Sequence, residues 1–154
     1  MTDRPSTILN QAHRACSPVL AAALLVPFCS AAPANAQSFS FGLWGDMPYA
    51  RASDQPKIAP LIADMNASDI AFSIYDGDIK DGSSKCSEDV YAAAIKMFDS
   101  FKMPAIYVPG DNEWTDCHRK NNGGYDNLER LGYIRKVMFA ASDSFGQSRM
   151  PIEH

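Results

Sequence analysis

The sequence predicts a mixed α/β fold in which short parallel strands alternate with helices, in the order β-α-β-α-β-α. Three apolar runs predict the strands, at residues 39–44, 70–75 and 106–108. The runs begin roughly 30 residues apart, which is the length of one βα unit that returns to a parallel sheet. Strands that alternate with helices predict a parallel sheet with right-handed crossovers.

A Gly-Asp pair closes each apolar run. The pairs are Gly45-Asp46, Gly77-Asp78 and Gly110-Asp111, and successive pairs lie 32 and 33 residues apart. Ligands of parallel α/β sheets bind at the carboxyl ends of the strands. We therefore expect the chain to bring one carboxylate to the same edge of the sheet three times.

Helical periodicity separates the three runs. Apolar residues recur at helical spacing from Ile58 to Met65, after Pro56, and again from Val90 to Phe101. A third helix is predicted from Asn127 to Ala141, and we expect three of its apolar side chains to point inward: Leu128, Leu131 and Met138.

The first 36 residues have the features of a secretory signal peptide. A mildly basic start is followed by the apolar run 18–28 and by the A-x-A site Ala34-Asn35-Ala36. The alternative is a membrane anchor, but the run is shorter than the ~20 residues of a spanning helix and contains two prolines. We therefore expect cleavage after Ala36 and a secreted or periplasmic domain at 37–154, with no membrane span in the mature chain.

The composition gives no indication of a nucleic-acid partner. The net charge is −4, and no Lys/Arg run or basic patch indicates a nucleic-acid-binding surface. The sequence makes no prediction of the oligomeric state.

Two cysteines follow the second and third Gly-Asp pairs. Cys86 lies in the polar loop 78–87, and Cys117 lies in the polar loop 111–126. If strands two and three are neighbours, both loops leave the same sheet edge and the cysteines can meet. An oxidising compartment permits a disulfide, so we predict one here; the alternative is two free thiols.

Three carboxylates at one edge indicate a cation site. Two like charges about 4 Å apart repel by about 4 kcal/mol at an effective dielectric near 20. A divalent cation with oxygen ligands turns this repulsion into binding. The alternative for each aspartate is that it caps a helix or forms a turn.

The motifs resemble the amino-terminal half of a calcineurin-like metallophosphoesterase. Gly77-Asp78-Ile79-Lys80-Asp81 matches the family's G-D-x-x-D, and Gly45-Asp46 and Gly110-Asp111-Asn112-Glu113 occupy the places of its D-x-H and G-N-H-[DE]. The resemblance implies half of an αββα sandwich. It also implies two divalent metal ions (iron, manganese or zinc) and hydrolysis of phosphate mono- or diesters by a metal-bound hydroxide.

The resemblance implies metal ligands among four residues. Asp78 would bridge the metals and Asp46 would bind one of them. At the third motif two alignments stay open. Either Asp111 replaces the Asn ligand and Asn112 replaces the catalytic His, or Asp111 is an insertion and Asn112 is the ligand.

Further candidate residues each have two interpretations. Pro48 replaces the first-motif histidine, and His118 could supply the lost acid or be a solvated loop residue. Tyr49 could be a ligand, as a tyrosine is in the related purple acid phosphatases, or could pack beside Pro48. Lys80 and Arg119 are candidates for binding a phosphate oxygen, with ordinary surface charge as the alternative.

The largest difference from the family is the length of the chain. The later histidine motifs and the second sheet do not occur before His154. We therefore expect a truncated form or a subunit that needs a partner, with one sheet face uncovered. The alternative to an enzyme is an inactive remnant or a secreted metal-binding module. Asp76-Gly77-Asp78 could also be the D-x-D motif of a haloacid-dehalogenase-type phosphatase. That motif follows the first strand, whereas here it follows the second predicted strand.

Overall fold

The described part of the chain is the portion after the predicted signal peptide. The computed structural model describes residues 38–49 and 52–153, and the signal-peptide prediction for 1–36 lies outside these residues. Within the described residues, no helix combines the length and apolar character needed to cross a membrane.

A sheet of three short parallel strands forms the centre of the fold. The strands are β1 (Gly42–Trp44), β2 (Ser73–Tyr75) and β3 (Ala105–Tyr107), in the order β1-β2-β3. Their last residues are paired with one another: Trp44 with Tyr75, and Tyr75 with Tyr107. Because the strands end together, the loops that follow them all start at one edge. The predicted α/β class with a parallel sheet is confirmed.

Three α-helices alternate with the strands. They are α1 (Gln55–Ala67), α2 (Glu88–Phe98) and α3 (Asn127–Met138), and two 3-10 turns, Thr115–His118 and Lys120–Asn122, precede α3. The order β-α-β-α-β-α agrees with the prediction. The second helix ends before Phe101, which is nevertheless buried in the core. The third helix ends at Met138 rather than at Ala141.

Aromatic side chains fill the space between the sheet and α2. Phe98 of α2 packs 5.0 Å from Tyr75 and 5.5 Å from Tyr107, measured between ring centroids. Trp44 packs 4.8 Å from Tyr75 on the same side of the sheet. The Met65 side chain of α1 lies against Gly42, which shares this face with Trp44. Both helices therefore cover one face.

The opposite face carries exposed apolar side chains. Leu43 is 63% exposed and Val108 is 48% exposed, while Phe41 stacks on Phe72 at 5.5 Å and also remains exposed. In the described part of the chain this is the uncovered face that the small number of strands predicts. We call the surface of Phe39, Phe41, Leu43 and Val108 the open face.

The inward side of α3 differs from the prediction. Leu128 is 72% exposed, so its expected inward position is wrong. The buried residues are Arg130, Ile134 and Met138, which follow one another at intervals of four. Arg130 fixes this orientation because its guanidinium donates to the Cys86 carbonyl, at 3.2 Å, and lies over the ring of Tyr125.

Candidate functional site

The three loops after the strands pack backbone against backbone. The Asp46 N–H donates to the Gly77 carbonyl at 3.0 Å. A Cβ placed on Gly77 would lie 2.6 Å from the Gly110 nitrogen, and Gly77 has a φ of +109°. Only glycine allows both this backbone conformation and this approach. The glycines of the repeated pairs thus bring the following residues together.

Asp46 and Asp78 share an unusual backbone conformation. Their φ angles are 58° and 66°, and among the described residues they are the two non-glycine residues with positive φ. Asp tolerates the left-handed region better than most residues because its short side chain can bond locally. Such a conformation still costs on the order of 1 kcal/mol or more and is concentrated at functional sites. This geometry supports a shared role for the two aspartates.

Asp78 is held by Asn112 from the third loop. The Asn112 Nδ2 donates to Asp78 Oδ2 at 2.8 Å, and the Asn112 backbone N–H donates to Oδ1 at 3.3 Å. Burial raises the pKa of Asp78; the backbone of Asn112 opposes this shift, and the carboxylates of Asp111 and Asp46 add to it. Asp111 and Asn112 therefore both lie near Asp78, and the buried Asn112 makes the closer defined contact.

Tyr49 places its hydroxyl on Asp46. The distance from Tyr49 Oη to Asp46 Oδ1 is 2.5 Å. Burial raises the pKa of Tyr49, and the carboxylates of Asp46 and Asp78 raise it further. The loop that carries Asp46 and Tyr49 is bonded to β2, because the Tyr75 hydroxyl donates to the Met47 carbonyl at 2.7 Å. Tyr49 thus faces the two aspartates.

Glu113 is a buried residue to which the motifs assign no role. Its side chain is 0% exposed, and its Oε1 accepts the Ile79 N–H at 2.7 Å, which ties the third loop to the residue after Asp78. Its Oε2 lies near the Tyr107 hydroxyl, and neither atom has any other hydrogen-bond partner among the described residues. Burial raises the pKa of Glu113 to about 7. Its signal in the sequence is its place after Asp111-Asn112, at the acidic position of the third motif.

Lys80 is a buried residue rather than a surface charge. It is 3% exposed, so the alternative of ordinary surface charge is wrong for this residue. Its Nζ donates to the Asp81 carbonyl at 2.9 Å. Burial lowers the pKa of Lys80, while the carboxylates of Asp81 and Glu113 act in the opposite direction.

Arg119 and His118 make local contacts. Arg119 forms an ion pair with Asp116 at 2.6 Å and donates to the Gly82 carbonyl at 3.3 Å, so it links the third loop to the second. The exposed His118 has its Nδ1 2.6 Å from the Thr115 carbonyl oxygen in the same 3-10 turn. Within residues 38–49 and 52–153, the structure does not join His118 to Asp78.

A disulfide joins the second and third loops. Cys86 and Cys117 are bonded, with Cα atoms 5.8 Å apart. The Cys86 N–H donates to the Asn122 carbonyl at 2.9 Å, and the Tyr91 hydroxyl of α2 donates to the Glu113 carbonyl at 2.7 Å. These bonds make the long third loop an ordered support for Asn112.

The donor atoms at this edge are oxygens of mixed type. Asp46 and Asp78 supply carboxylates, Tyr49 a hydroxyl and Asn112 an amide. Among the described residues, no group of three or more His, Cys, Asp or Glu side chains is arranged to hold a metal ion. Comparisons with protein-family models, with curated proteins and with solved structures found no match.

Proposed function

We propose that this protein is a metal-dependent phosphoesterase of the calcineurin-like type, with its site at the carboxyl edge of the sheet. Asp46, Asp78 and Asn112 would hold the divalent cations, and Tyr49 would complete the oxygen donors. The observation that carries the proposal is the contact of Asn112 with Asp78, beside an Asp46 whose backbone is bonded to Gly77.

The charge balance of the site supports a bound cation. The carboxylates of Asp46 and Asp111 raise the pKa of Asp78, so each of them repels the Asp78 carboxylate. The nearby cationic side chains have other partners: Lys80 donates to the Asp81 carbonyl, and Arg119 pairs with Asp116. Carboxylate, phenol and amide oxygens suit hard or borderline ions such as Mn²⁺, iron or Zn²⁺.

The side chains of the site have separate tasks in this proposal. Bound divalent cations would supply Lewis acidity toward water and phosphate. Asp78 lies between Asp46 and Asn112 and is suited to be shared by two cations. The Tyr49 hydroxyl donates its proton to Asp46 Oδ1 at 2.5 Å and so holds that carboxylate in position. The buried Glu113 positions the Asp78 loop through the Ile79 N–H.

The test combines metal analysis with hydrolysis of bis(4-nitrophenyl) phosphate and 4-nitrophenyl phosphate. Asp78→Asn removes the central carboxylate with little change of shape. Asp69→Asn is the matched control, because Asp69 is exposed and precedes β2 at the opposite edge. We expect bound divalent metal and turnover in the wild type and in Asp69→Asn, and loss of both in Asp78→Asn. Equal turnover in all three proteins would refute the assignment.

A second candidate is cation binding without catalysis. Asp78 Oδ2 already accepts a hydrogen bond from Asn112 Nδ2. Because this oxygen is then less available to a metal, the arrangement favours one bound cation over two. Metal bound in the wild type and lost in Asp78→Asn, without hydrolysis of either ester, would select this candidate.

A further inference from the structure

A cavity of about 360 Å³ lies between α1 and α2. Ile58 of α1 and Val90, Ala94 and Met97 of α2 form most of its apolar wall. Its volume falls near the lower end of the range for small-molecule pockets, which are largely apolar with a few polar groups.

Three residues that line the cavity are chain neighbours of the proposed metal ligands. Pro48, which lines the cavity, stands between Asp46 and Tyr49 in the chain. Ile79 and Lys80, which also line it, directly follow Asp78. A molecule whose phosphate is held by the aspartates can therefore extend its remaining part toward this cavity.

The charge around the cavity selects the kind of group that fits. Lys80 contributes its side chain to the wall, but its ammonium donates to the Asp81 carbonyl. The Asp81 carboxylate also lies beside the cavity, because its Oδ2 accepts the hydroxyl of the lining residue Ser84 at 2.6 Å. An additional anionic group would be repelled by this carboxylate, whereas an uncharged apolar group would remove the apolar wall from water.

We propose that this cavity binds the apolar organic group of the substrate, so that the substrate class is a phosphate ester of an aryl or short alkyl alcohol. This assignment rests on the proposed phosphoesterase function. It favours such esters over those whose organic part carries further negative charge.

The test uses a substitution at an exposed residue that places a large side chain in the cavity. Ala93→Trp places an indole at a helix position that lines the cavity. Ala92→Trp is the matched control, since Ala92 is its exposed neighbour in α2 and is not part of the lining. Calorimetry on the cation-loaded protein would measure the affinities for 2-naphthyl phosphate (supplied as its non-hydrolysable phosphonate analogue, so that turnover does not consume it), for inorganic phosphate and for 2-naphthol.

We expect Ala93→Trp to lower the affinities for 2-naphthyl phosphate and 2-naphthol by about tenfold or more. The affinity for inorganic phosphate should not change. Ala92→Trp should bind all three as the wild type does. Unchanged naphthyl phosphate affinity in Ala93→Trp, or an equal loss for inorganic phosphate, would overturn the cavity assignment. A wild type that binds 2-naphthol but neither phosphate compound would instead refute the phosphoesterase function, and with it the substrate class.

Discussion

Asn112 binds the Asp78 carboxylate with two donors, its side-chain amide at 2.8 Å and its backbone N–H at 3.3 Å. The two residues are 34 positions apart, and each follows a different strand. Two donors to one carboxylate restrict its rotation, so the second and third loops present Asp78 in one defined orientation.

Replacing Asn112 by alanine should weaken cation binding at Asp78. The variant keeps the backbone donor but loses the amide, which is a proposed ligand and also orients Asp78. Loss of an orienting group alone typically costs 10–100-fold in metal affinity. Asn121→Ala is the control, because Asn121 is exposed in the same loop. A titration with Mn²⁺ would check this, and equal affinity in both variants would contradict the role given to Asn112.

The buried Glu113 should make stability depend on pH. Its pKa is raised from 4.5 to about 7 in the folded protein. The folded state therefore binds the proton more tightly than the unfolded state does. The contribution of Glu113 to the free energy of unfolding is fully present below pH 4.5 and is lost as the pH rises through about 7. The free energy of unfolding falls by roughly 3 kcal/mol at most over this range.

Glu113→Gln isolates this contribution. Glutamine keeps an acceptor for the Ile79 N–H and carries no titrating group. In urea unfolding with chelator present, the variant should match the wild type near pH 4.5 and exceed its free energy of unfolding at pH 8. A difference between the two proteins that does not change with pH would show that folding does not raise the pKa of Glu113.

The Cys86–Cys117 disulfide should stabilise the domain. It closes a loop with a sequence separation of 31, for which the chain-entropy model gives roughly 3–4 kcal/mol. Dithiothreitol should therefore lower the free energy of unfolding of the wild type toward that of the double variant Cys86→Ser/Cys117→Ser. The double variant itself should not respond. Insensitivity of the wild type to reductant would be incompatible with a stabilising disulfide.

The open face should promote self-association. Contiguous exposed apolar surface is uncommon in monomeric proteins and is a site of association. Leu43→Lys and Val108→Lys together should reduce dye binding to apolar surface and reduce association in sedimentation velocity. Leu128→Lys serves as the control, since Leu128 is exposed on α3 away from the sheet. Equal behaviour of the control and the double variant would argue against a role for this face.

The alternation of strands and helices was predictable because its signals are local. An apolar run ended by Gly-Asp marks each strand end, and the 32–33-residue interval fixes a parallel sheet with its strand ends at one edge. The glycine of each Gly-Asp pair allows the three loop backbones to approach one another at the carboxyl edge of the sheet. The strand and helix signals act within one βα unit and can be read from the spacing.

The details of the site depend on contacts between distant residues. Whether Asp111 or Asn112 faces Asp78 is decided by the turn after Gly110, which spacing does not specify. Lys80 looks like a surface charge in sequence but is buried, because the second loop folds toward Glu113 and the cavity wall. Leu128 is exposed because Arg130 docks α3 through the Cys86 carbonyl, a bond between residues 44 positions apart.

Calorimetric titration of Mn²⁺ into chelator-treated protein tests the central claim most directly, because it measures the site without requiring turnover. The wild type and Asp69→Asn should bind Mn²⁺ with the same affinity, and Asp46→Asn and Asp78→Asn should each bind more weakly or not at all. Affinity unaffected by both site substitutions, in variants whose circular dichroism matches the wild type, would contradict a cation site at the carboxyl edge of the sheet.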